Sequence, residues 1–60
     1  SDQNDGIWIW QSGQGWMWSQ DGVWPFIYSH RKGNWLYFTK SVGGRPIFYD
    51  YGSEDYWIDP

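Results

Sequence analysis

The only histidine, His30, stands beside Arg31 and Lys32. An imidazole can act as a general base, but it then wants a carboxylate that orients it. No neighbour in sequence supplies one, so His30 is expected to be a solvated turn residue. Four carboxylates crowd the far end of the chain, Asp50, Glu54, Asp55 and Asp59. Glycoside hydrolysis needs two carboxyls facing each other across a cleft, and 60 residues offer little material for its walls. The segment Asp50-Tyr-Gly-Ser-Glu-Asp55 lacks the spaced carboxylates and distal Glu of a calcium loop, and reads instead as a hairpin turn. No phosphate-cradling or dinucleotide fingerprint occurs. Cysteine is absent, which removes disulfide frameworks and thiolate zinc sites. No catalytic residue, no metal site and no cofactor are expected.

The chemistry that remains is that of rings. The chain holds seven Trp, five Tyr and three Phe, with no Ala and few aliphatics. Trp and Tyr offer flat apolar faces to sugars or peptides and polar edges that hydrogen-bond at the rim. Trp8, Trp10, Trp16, Trp18, Trp35, Tyr37, Tyr49 and Trp57 are the candidate ligand-binding residues. Asn34, Gln11, Gln14, Gln20 and Asp21, in predicted turns, could orient a sugar. The competing role for every ring is the core, which a chain so poor in aliphatics must build largely from aromatics.

Strands have to position these rings. Aromatic and β-branched residues favour strands, and eight glycines argue against a helical bundle. Turn-type clusters at 11–14, 20–22, 30–34, 40–45 and 52–55 separate six short runs: Ile7–Trp10, Gly15–Ser19, Trp24–Ser29, Trp35–Thr39, Pro46–Tyr51 and Tyr56–Asp59. Short runs at this spacing predict an all-β meander. A repeat runs through it. Trp16-Met17-Trp18 leads by a Gly turn to Pro25-Phe26-Ile27-Tyr28-Ser29, and Trp35-Leu36-Tyr37 leads by a Gly-Gly turn to Pro46-Ile47-Phe48-Tyr49-Asp50.

Alternation along a strand divides the side chains between two faces. One is expected to carry Trp8, Trp10, Trp16, Trp18, Trp24, Phe26, Tyr28, Trp35, Tyr37, Ile47, Tyr49 and Trp57. The other carries Ile7, Ile9, Met17, Ile27, Leu36, Phe38, Phe48 and Ile58. Both are apolar, whereas a half-solvated sheet normally has one polar face. One face must therefore curl inward, meet another chain or bind a ligand.

Charge narrows the partners. The net charge is −3, and all the basic residues (Arg31, Lys32, Lys40, Arg45) lie between acidic segments. In a meander, alternate turns share an end, which places Arg31 and Lys32 near Glu54 and Asp55 and the 40–45 turn near Asp21. Such pairing breaks up any basic patch, so nucleic acid is not an expected partner. No run approaches the roughly 18 apolar residues of a membrane span. No charged-then-apolar start reads as a signal peptide, so the chain is expected to be an excised or mature module.

Two resemblances attach to these motifs. The stretch Gly15–Tyr51, with GWMWS, WPFIYSH and NWLYF, resembles aromatic β segments of bacterial secreted and surface proteins. That likeness implies an extracellular or cell-surface accessory segment and carries no established activity. Residues 34–60 are similar to a WW domain in the separation of Trp35 and Trp57, in Gly44-Arg45-Pro46-Ile47-Phe48-Tyr49-Asp50, and in the closing Trp57-Ile58-Asp59-Pro60. It departs in its shifted central strand, in its short loop before Trp57 and in Tyr51, where the family usually has His. On this likeness Tyr49 and Trp57 would grip a Pro-rich peptide.

The expected architecture is one all-β domain, a six-stranded antiparallel meander, strongly twisted or curled into an open barrel. Residues 1–6 form a flexible N-terminus, and 7–60 form a domain built from hairpin-like units at about 15–29 and 34–51. The expected function is a non-catalytic extracellular module that binds glycan or a cell-surface polymer on its aromatic face. The alternatives are a structural module that self-associates, or docks on its parent protein, through its second apolar face, and a WW-like peptide binder.

Overall fold

The computed structural model describes residues 6–58. The expected flexible segment therefore lies, except for Gly6, outside the described residues, as do Asp59 and Pro60. The chain forms six strands: β1 (Ile7–Gln11), β2 (Gly15–Ser19), β3 (Phe26–Ser29), β4 (Asn34–Val42), β5 (Arg45–Asp50) and β6 (Asp55–Ile58). Each pairs antiparallel with the next, giving one open sheet in the order β1-β2-β3-β4-β5-β6. The described residues contain no helix long and apolar enough to cross a membrane.

Two strand boundaries differ by more than one residue from the sequence reading. Trp24 lies in a turn, because the Gln20 carbonyl accepts from the N–H groups of Val23 (2.9 Å) and Trp24 (2.8 Å) and winds the chain before β3. In the other direction, β4 runs on through Lys40-Ser41-Val42. Gly43 and Gly44 have φ of 61° and 78°, and a two-residue hairpin turn needs positive φ at both positions. The pair closes the hairpin alone and frees its neighbours to extend the strands. The register shifts between Phe38 and Lys40. Thr39 sits at this bulge and donates its hydroxyl to the Ile47 carbonyl at 2.7 Å. A bulge bends its strand and sharpens the local twist.

The sheet is curved. Its shortest dimension is 20 Å, about twice the ~10 Å between two packed sheets, so a single layer fills it only by bending. The core lies on the face of Met17, Ile27, Leu36 and Phe48, with Phe38 and Trp57 packed against it. Leu36 is 0% exposed. The expected ring-built core is thus not what forms: of the four buried apolar residues, one is aromatic. Most of the rings line the outer face instead, while Phe38, Phe48 and Trp57 serve the core.

The turns after β3 and β5 share one geometry. Ser29 pairs with Asn34 and Asp50 with Asp55, each across a four-residue loop. Gly33 N–H donates to the Ser29 carbonyl (2.8 Å) and Glu54 N–H to the Asp50 carbonyl (2.7 Å). In both loops the strand-end side chain caps the turn. Ser29 Oγ accepts from Lys32 N–H at 3.2 Å, and Asp50 Oδ1 accepts from Gly52 N–H at 2.8 Å and Ser53 N–H at 3.3 Å. The last loop residue has positive φ, 72° at Gly33 and 60° at Glu54. Glycine adopts that conformation freely, whereas a side chain crowds the following carbonyl.

Two stability predictions follow from burial and backbone. Leu36→Ala removes a fully enclosed side chain and should cost about 2–5 kcal/mol. Trp16→Ala, at a position 48% exposed, should cost clearly less, in thermal melts of both variants. Glu54→Gly relieves the left-handed backbone and should raise stability by roughly 0.5–1 kcal/mol, read from urea titrations.

Candidate functional site

The outer face is built of cross-strand rows, because residues paired across antiparallel strands point to the same side. One row runs Trp8–Trp18–Tyr28–Trp35 over β1 to β4. A second runs Phe26–Tyr37–Tyr49–Tyr56 over β3 to β6. Trp10 and Trp16 pair beyond the first. The rows hold together edge to face: Trp10–Trp16 at 5.5 Å between centroids, Trp18–Trp35 at 6.3 Å, Tyr28–Trp35 at 5.4 Å, Phe26–Tyr37 at 5.1 Å and Tyr49–Tyr56 at 5.4 Å. Each such pair is worth about 0.5–1.5 kcal/mol beyond burial.

These rings remain accessible to solvent. Trp10 is 61% exposed, Trp16 48% and Trp35 39%. Trp18, Tyr37 and Tyr49 are half-buried between their neighbours. Two depressions cut the surface. One, of about 540 Å³, is lined by Gly22, Val23, Phe26, Trp35 and Tyr51, and the other, of about 350 Å³, by Trp8, Trp16 and His30. Apolar surface gathered this way on a small protein usually marks an interaction site.

Seven of the eight expected ligand-binding residues therefore share this face: Trp8, Trp10, Trp16, Trp18, Trp35, Tyr37 and Tyr49. Trp57 does not. It pairs with Phe48 and stacks on it at 6.0 Å, on the core side, while Ile58 takes the outer face opposite Ile47. The sequence contains the signal for this correction. The offset that carries Pro25 onto Pro46 and Ser29 onto Asp50 also carries Trp35 onto Tyr56 and the core residue Leu36 onto Trp57. Trp24 leaves the outer row as well, since its turn sets it on Phe38 at 5.3 Å. Tyr49 and Trp57 point to opposite faces, so they do not form the single groove of a WW-type peptide site.

The structure keeps Phe26 on the face, as alternation predicts, and adds Tyr51 and Tyr56. Tyr51 stacks on Phe26 at 6.2 Å and meets Tyr49 edge-on at 5.0 Å; its spacing of two residues from Tyr49 was the available clue. His30 meets Trp8 edge-on at 6.5 Å. Two of the polar residues expected to orient a sugar, Asn34 and Gln14, do not border this face. Asn34 lies on the core side and donates to Asp50 Oδ1 at 2.8 Å, and Gln14 is buried.

The carboxylate best placed for chemistry is committed to structure. Asp50 is buried, and Lys32 Nζ lies 3.1 Å from its Oδ2. Lys32 thus pairs at the expected end of the sheet, but with Asp50 rather than with Glu54 or Asp55. It reached this buried carboxylate because Asp50 faces the core side and Lys32 bends over that side, with its ammonium 5.1 Å from the Trp57 ring. Burial pushes the Asp50 carboxyl upward, yet the Lys32 ammonium, the Gly52 N–H, the Asn34 amide and the Ser53 N–H together hold it below its ordinary value. Among the described residues no group of three or more His, Cys, Asp or Glu could hold a metal ion.

Comparison of the chain with family models, curated proteins and solved structures returned no match in any of the three.

A lowered native pKa stabilises the fold above the unfolded aspartate value, and that contribution fades as pH falls toward the native one. Melting temperature should therefore drop on acidification below about pH 4. Asp50→Asn should cost roughly 1–3 kcal/mol at neutral pH, with the gap between the two proteins closing as pH falls. A series of thermal melts against pH reads both effects.

Proposed function

We propose that this domain is a non-catalytic binding module whose outer aromatic face takes a glycan or cell-surface polymer. The observation that carries the reading is the pair of interlocked aromatic rows left open to solvent on the side away from the core. The buried core of Met17, Ile27, Leu36 and Phe48 lies on the opposite face, so these indoles stand outside it. Sugar rings present apolar C–H faces that lie flat on indole and phenol rings, whose N–H and O–H edges can bond hydroxyls. The ridges and the two depressions suit an extended chain more than a compact ligand. The likeness to aromatic segments of bacterial surface proteins supports placing this activity outside the cell.

A second reading rests on β1. It is an edge strand, it carries no charge, and Ile7, Trp8, Ile9 and Trp10 are all exposed. An apolar edge strand is a template for pairing, so self-association through β1 is the alternative use of the domain.

Intrinsic Trp fluorescence titrated with a panel of soluble oligosaccharides tests the first reading. A saturable change is expected for at least one of them. Trp35→Ala should weaken it by roughly tenfold or more, about 1.4 kcal/mol, while the fold survives. Silence across the panel, joined to concentration-dependent sedimentation of the free protein, would replace glycan binding with self-association.

A further inference from the structure

Gln14 is 3% exposed, and neither its amide nitrogen nor its amide oxygen has a hydrogen-bond partner. Its backbone N–H is bonded to the Gln11 carbonyl at 2.9 Å, so the turn that carries it is fixed. An amide withdrawn from water without a partner is destabilising, and a domain with so small a core is poorly placed to tolerate it. The amide borders a cleft of about 220 Å³ lined by Gly13, Gln14, Arg31, Lys32 and Trp57. That is several times the roughly 30 Å³ share of one water molecule.

The cleft lies on the core side of the sheet, away from the outer aromatic rows, and its charge is distinctive. Lys32 is balanced by Asp50. Arg31 donates through Nη1 to the Gly13 carbonyl and has no carboxylate partner among the described residues. Its remaining N–H groups form a fork suited to a carboxylate. Among the described residues the cleft thus carries a local positive charge, on a chain of net charge −3, beside an amide that lacks both an acceptor and a donor and beside the indole of Trp57.

We propose that this cleft is a binding site for a cyclic sugar acid, a hexuronate residue. The carboxylate pairs with Arg31, ring hydroxyls satisfy both ends of the Gln14 amide, and the sugar sits beside the edge of the Trp57 indole, whose ring already meets Phe48 and the Lys32 ammonium. A carboxylate alone would leave the amide oxygen without a donor, and a neutral sugar would leave the guanidinium without its ion pair. The site is independent of glycan binding on the outer face.

The test is an NMR titration of the ¹⁵N-labelled full chain with methyl glucuronide, methyl glucoside and acetate. Methyl glucuronide should produce saturable shifts at the Gln14 side-chain amide and the Trp57 indole N–H, with affinity at least roughly tenfold above that of either other probe. Gln14→Met should abolish binding and raise the melting temperature, since it removes an unpartnered buried amide at similar length. Arg31→Gln, at an exposed position, should reduce glucuronide affinity to the level of glucoside. Absence of saturable shifts, equal affinity for acetate, or a lower melting temperature for Gln14→Met would overturn the proposal. The last would mean that water already satisfies the amide, and Arg31→Gln keeps the binding claim testable if Gln14→Met fails to fold.

Discussion

Leu36 must be kept dry by a sheet that has no second layer above it, and the rest of the domain answers to that requirement. A flat sheet leaves both faces wet. Curvature brings Met17, Ile27 and Phe48 around Leu36 on the inner side, with Phe38 and Trp57 closing the group. The bulge at Thr39 contributes by bending the longest strand, β4. Small size makes the arrangement tight: a chain near 60 residues buries only about 60% of the surface it exposes when unfolded, so a single core position carries a large share of the stability.

Enclosing the aliphatic side leaves the aromatic side outside. Edge-to-face contacts between neighbouring rings stabilise that outer face from within the layer, without another layer on top. This lets the aromatic surface be rigid and solvent-facing at once. Rigidity matters for recognition, since ordering mobile side chains on binding costs affinity. The same rings that brace the sheet would therefore need little ordering in the binding role proposed for them.

Polar groups finish one end of the sheet. Asp50 and Ser29 occupy equivalent positions and cap equivalent turns, but Asp50 also gathers Asn34 and Lys32. Lys32 in turn reaches the Trp57 ring, which ties the turn after β3 to strand β6. The first turn folds Gln14 into the same region, so three loops converge on the inner end of the sheet.

Much of this was legible in the chain itself. Six strands, their order and most of the outer aromatic row follow from turn residues and from the period-two placement of Trp and Tyr, because both are local properties of backbone and side-chain direction. The seven outer residues from Trp8 to Tyr49 were readable for that reason. Which face turns inward was not, since alternation separates two faces without setting the sense of curvature. Trp57 could not be placed from its own run alone: its side depends on the four-residue loop that pairs Asp50 with Asp55. Trp24 depended on hydrogen bonds to Gln20, the Lys32–Asp50 pair on a side chain crossing between turns, and the burial of Gln14 on how the first turn packs against the inner end of the sheet. The last two are contacts between segments distant in sequence, which only the folded sheet brings together, and the first two turn on loop hydrogen bonds that residue types alone do not fix.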